Sequence, residues 1–171
     1  MIKITVLTLF MLVSFSAVAS DLFEVSPIST FAKEVSSDRN AIDKVDGSIL
    51  LKEGEELYFW SLIAVNQDGV NFLEEHGFLE IKHDWRSSSV FCRLNSIPVG
   101  ITQDKWKEIR EVKLADYAEN GWFTFRTKSS KKVFCYGDYT VSVKNGANRR
   151  ANVFSKNKKF SININVGKKD E

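Results

Sequence analysis

The chain has 171 residues, 43% hydrophobic and 27% charged, with a formal net charge of +2. That length suits one ordinary core and is too short for two, and a nearly neutral chain with no reader motif is not expected to bind nucleic acid. The balance conceals a split: residues 20–100 carry 7 Lys/Arg against 14 Asp/Glu, and residues 101–171 carry 16 against 8, which would make a dipolar surface or let two halves of one fold attract each other across strand pairs.

Residues 1–19 have the parts of a secretory signal peptide: Lys3, an apolar run from Ile4 to Val13, and Ala17-Val18-Ala19 ahead of Ser20. The expected mature domain is therefore residues 20–171, periplasmic or secreted. Its longest apolar stretch, Leu57 to Val65, is far short of the run of about 20 residues that a membrane helix needs. Cys92 and Cys135 are the only cysteines, and an exported chain with an even count is expected to join them in a disulfide.

Ile28 to Val35 reads as a first strand, and residues 36–55 read mostly as loop. Leu57 to Val65 is apolar on both alternating faces, the pattern of a central strand covered on both sides, and Asn66-Gln67-Asp68-Gly69 ends it with turn chemistry. From Phe78 to Arg86, Leu79, Ile81, His83 and Trp85 share one face while Glu80, Lys82, Asp84 and Arg86 share the other, which marks a half-buried strand. Val90 to Val99 is expected to be a strand carrying Cys92, and Lys105 to Leu114, where Trp106, Ile109 and Leu114 fit neither period well, is open between a strand and a helical turn, with strand the preferred reading. Gly121 to Thr127 alternates, Lys128 to Lys132 reads as a turn, and Val133 to Val143 is a strand holding Cys135. After the polar connection beyond Asn145-Gly146, Phe160 to Val166 alternates cleanly as a last strand. Seven or so short strands predict an all-β, immunoglobulin-like antiparallel β-sandwich.

Four segments, Glu56-Leu57-Tyr58-Phe59-Trp60-Ser61, Ile81-Lys82-His83-Asp84-Trp85, Lys105-Trp106-Lys107 and Gly137-Asp138-Tyr139-Thr140-Val141-Ser142-Val143, together resemble a family of bacterial extracytoplasmic domains of unknown function. Its pattern is an aromatic strand, His-x-Trp, a Trp-Arg stretch and Gly-x-Trp-x-Val, with Lys107 here at the Arg and Tyr139 at the last Trp. The resemblance implies a compact, mostly β extracytoplasmic domain and no particular activity.

The sharper chemistries find little support in the spacing. His76 and His83 lie near Glu74, Glu75, Glu80 and Asp84, yet on a strand His83 points away from Glu80 and Asp84, so it is expected to pack beside Trp85 and bond to backbone, with no metal or cofactor. There is no G-x-S-x-G, and Ser87-Ser88-Ser89 near His83 and Asp84 does not make a triad by proximity in sequence alone. The aromatic residues are more suggestive. Trp60 and Trp85 read as core, whereas Trp106, Lys107, Trp122 and Arg126 would form a surface suited to an anionic or carbohydrate ligand. The basic connection from Arg149-Arg150 to Lys158-Lys159 reads as a solvated run that would otherwise touch an anionic envelope surface, and the strand from Phe160 to Val166 is a possible edge for a partner strand. The expected function is non-catalytic binding of an envelope protein, with glycan binding and then hydrolysis as the alternatives.

Overall fold

The computed structural model describes residues 22–26, 28–92, 94–107, 123–146, 152–153 and 160–167; the signal-peptide reading of residues 1–19 lies outside them. Alternation along the strands is what builds the fold. Along β5 (Glu56–Val65), Leu57, Phe59, Ser61, Ile63 and Val65 are all buried on one face, while Trp60 and Ala64 are buried on the other. The double-sided apolar pattern thus gives the hub of the first sheet. The full length of β10 (Phe123–Lys132) pairs antiparallel with one side of β5, and β1 (Phe23–Val25) and β2 (Thr30–Val35) share the other side in succession. β3 (Ala41–Val45) pairs with β2, and β12 (Asn152–Val153) runs parallel to β1.

The second sheet has the order β4 (Ser48–Lys52), β13 (Phe160–Gly167), β11 (Gly137–Asn145), β7 (Ile81–Ser87), β8 (Ser96–Pro98). Ile81, His83 and Trp85 of β7 and Tyr139, Val141 and Val143 of β11 all point inward. Phe31 and Phe59 from the first sheet meet the Trp85 ring edge-on, at 5.9 and 6.5 Å between centroids, so the two sheets face each other across one apolar core. β6 (Phe78–Leu79) and β9 (Ile101–Thr102) form a small third ladder. The result is the all-β sandwich that the alternation predicts.

Several local expectations give way. Asn66 does not start a turn: its Oδ1 accepts the Gly69 N–H at 2.8 Å and caps α1 (Gln67–His76), which ends at Gly77 in the left-handed conformation. Residues 36–55 contain β3 and β4. The basic run Lys128 to Lys132 continues β10, because its pairing with β5 extends to Lys132 opposite Glu56. Cys92 sits after a turn and not on a strand, and residues 103–107 are helical. The strand count exceeds seven because many strands are two or three residues long, and the β1–β12 and β4–β13 pairings are parallel. The strand from Phe160 to Val166 is no edge, since β4 flanks it on one side and β11 on the other.

Candidate functional site

Cys92 and Cys135 are joined in a disulfide with their Cα atoms 6.2 Å apart. It ties together two turns whose apolar side chains are turned to solvent: Phe91 is 91% exposed, Val90 85%, Tyr136 77% and Phe134 59%. The Val-Phe-Cys and Phe-Cys-Tyr triplets were the available sequence signal for this exposed end, but strand alternation assigned those residues to core-bearing strands.

Between the sheets lies a buried polar chain. The Trp85 indole N–H donates to Ser129 Oγ at 2.8 Å, Ser129 Oγ lies 2.8 Å from His83 Nδ1, His83 Nε2 lies 2.9 Å from Ser61 Oγ, and Ser61 Oγ lies 2.8 Å from Thr127 Oγ1. An indole nitrogen can only donate, so Ser129 accepts there, and its second lone pair or its own proton serves Nδ1 according to which ring nitrogen of His83 carries the hydrogen. Burial pushes the His83 imidazole down to about 3, so the ring is neutral at ordinary pH. Its partners are hydroxyls from β5 and β10 and not the backbone groups expected. Ser61 and His83 form a Ser-His pair in geometry only: both are fully buried, and no carboxylate among the described residues orients the ring.

The remaining polar candidates are separated. Asp84, on the outer face of β7, bonds Lys144 at 2.6 Å, Ser96 at 2.7 Å and Arg86 at 3.1 Å. Partial burial alone would raise its carboxyl, but these hydrogen bonds outweigh it and hold the group below its ordinary value. Glu80 pairs with Lys82 at 2.7 Å. Ser88 accepts the Asp138 N–H and does not approach the His83 ring, whose two nitrogens are engaged elsewhere. Among the described residues, no three His, Cys, Asp or Glu side chains converge to hold a metal ion.

Of the two indoles expected to be exposed, Trp106 is turned into the core. Trp106 is 2% exposed, edge-on to Phe123 with centroids 5.5 Å apart, because the helical turn at 103–107 directs it inward where a strand was expected. Lys107 is exposed. Trp122 lies outside the described residues, as does most of the basic connection at 149–159. Arg126, however, lines a cleft of about 470 Å³ with Arg39, Lys105 and Lys128. One wall is residues 98–102 and the other is residues 125–128 of β10; no Asp or Glu is among the described lining residues. Thr127, the last hydroxyl of the buried chain, belongs to the second wall.

The cleft is built from backbone outward. β2 and β3 form a hairpin closed at Val35 opposite Ala41. Within its turn, Asn40 N–H donates to Ser36 Oγ at 3.0 Å, and Arg39 adopts φ 57, a left-handed conformation unfavourable for a side chain of this kind. The Trp60 indole donates to the Arg39 carbonyl at 2.7 Å, and the Arg126 guanidinium donates to the Asp38 carbonyl at 3.3 Å. These bonds draw the hairpin turn toward Trp60 and β10 and place Arg39 at the cleft. Lys128 holds its ammonium 5.6 Å from the Tyr58 ring centroid. Four cations line one concavity, and no Asp or Glu is among its described lining residues, which favours a positive local field.

No protein-family model matches the chain, and no curated protein matches it. Among the described residues, no helix is long and apolar enough to cross a membrane.

Proposed function

We propose that this is an exported, non-catalytic binding domain of the bacterial envelope that engages a protein partner through the cationic cleft. The observation that carries the reading is the convergence of Arg39, Lys105, Arg126 and Lys128 on one cleft with no acidic residue among its described lining, an arrangement that favours carboxylate or phosphate groups. The disulfide fits an oxidising compartment. The signal-peptide pattern at residues 1–19 and the resemblance to extracytoplasmic domains support export. A binding role also accords with full burial of the Ser61 and His83 pair.

The test is capture from native envelope extract by the folded mature domain, beside an Arg39→Gln/Arg126→Gln/Lys128→Gln variant. A protein retained by the first and lost from the second is the expected result. Equal retention by both would remove the cleft from the function, and recovery of glycan without protein would replace the protein partner with a saccharide.

A further inference from the structure

We infer that the segment bound in the cleft is an extended acidic stretch of polypeptide that adds as a strand to the open edge of β10; this rests on the binding role proposed above and names its partner. β10 is hydrogen-bonded to β5 along its whole length, and among the described residues no strand pairs with its other side. Every second residue of such an edge directs its N–H and C=O outward, where a new strand can bond them.

Four successive residues, 125–128, line the cleft. Side chains alternate along a strand, and Phe125 and Thr127 point into the core, so what these four present in common is the strand's edge. The cleft thus runs beside main chain over about 13 Å at the usual strand rise. Arg126 and Lys128 stand on the outer face at this edge, and Arg39 and Lys105 complete the lining. An incoming strand would present alternate side chains to these cations, which selects Asp or Glu at every second position. A second copy of this chain is a poor occupant, since pairing two β10 edges would set Arg126, Lys128, Lys131 and Lys132 against their own kind.

The experiment uses the folded domain and four labelled seven-residue peptides read by fluorescence anisotropy: alternating Val and Glu, alternating Val and Lys, and two Val-Glu peptides with alternate backbone nitrogens methylated, one in each register. The Val-Glu peptide should bind with an affinity that falls as salt rises, the Val-Lys peptide should not bind, and methylation in one register should weaken binding by about tenfold or more, the loss of two or three main-chain hydrogen bonds. An Arg126→Glu/Lys128→Glu variant, checked for an unchanged melting temperature, should reverse the preference to Val-Lys. Equal binding of all Val-Glu forms would overturn strand addition while leaving charge recognition by the cleft intact. Failure of every peptide, with the envelope capture still lost in the cleft variant, would overturn the acidic strand and spare the binding role; loss of both results would end both.

Discussion

Acid should unfold this protein in a range where exposed carboxylates are still ionised, because protonating His83 would place a charge in a core that cannot solvate it. Burial holds the imidazole down to about 3 from its ordinary value of 6.5, so between those limits the unfolded chain binds a proton that the folded chain refuses. Stability from this group is complete above the unfolded value, falls as pH drops through it, and stops falling below the folded value. The whole shift corresponds to about 5 kcal/mol, of which about half should disappear between pH 7 and 4.5. Glu56, lowered by hydrogen bonds from Ser130 and Tyr58, and Asp84 contribute acid sensitivity mainly below that window, since a depressed carboxyl loses its stabilisation only as pH falls past its ordinary value. Urea unfolding followed by tryptophan fluorescence, at fixed ionic strength and half-unit pH steps, measures the slope. In His83→Gln the slope between pH 7 and 4.5 should flatten by the same amount, although the variant starts from lower stability. Equal slopes in the two proteins would refute the reasoning, because the loss would then come from groups other than the buried ring.

Breaking the Cys92–Cys135 bond, which spans 43 positions, should cost about 4 kcal/mol on loop-closure entropy; thermal melts of the Cys92→Ser/Cys135→Ser variant against the oxidised protein check this, and a loss under 1 kcal/mol would contradict it. Trp85→Phe should cost about 1–2 kcal/mol more than Trp106→Phe, because Trp85 donates to Ser129 whereas the buried Trp106 Nε1 has no hydrogen-bond partner among the described residues; urea midpoints of the two variants give the difference. Gly69→Ala would gain about 1 kcal/mol of helix propensity, yet its Cβ would press on the Leu22 carbonyl oxygen and on Val65, so a net loss of about 1–3 kcal/mol is expected from denaturant titration. A stabilised Gly69→Ala protein would show that the contact between α1 and residue 22 is soft.

Much of the sandwich is legible in the sequence because period-two patterning reports directly on a sheet with one buried face. Ile81, His83 and Trp85 are inward as the alternation requires, and β5 is central because it is apolar on both sides. The misreadings fall where local chemistry has two meanings. Asn66 followed by Gly69 serves a turn or a helix cap equally, and only the capping bond and the burial of Val70 and Leu73 decide it. Lysines at 128, 131 and 132 resemble a turn by polarity, yet an edge strand tolerates them. Neither the cleft nor the polar core chain is readable from periodicity, since Arg39 meets Arg126 and Ser61 meets Thr127 and His83 only through pairings between distant strands. Of the four residues expected to form a binding surface, Arg126 lines the cleft. Trp106 fails because a residue in an ambiguous segment turned out to be helical and inward.

The position of β13 has a kinetic corollary. This strand is inserted between β4, which it meets at Ser48 opposite Asn163, and β11, which it meets at Gly137 opposite Ile164. Among the described residues β4 has no other partner in its sheet, so a segment synthesised early waits for one about 115 positions later before its ladder can form, a high contact order that slows folding. Until β13 docks, Ile49 and Leu51 have no neighbouring strand to hold them over the core. The domain should therefore remain open and susceptible to proteolysis for most of its synthesis, and close in a late, cooperative step.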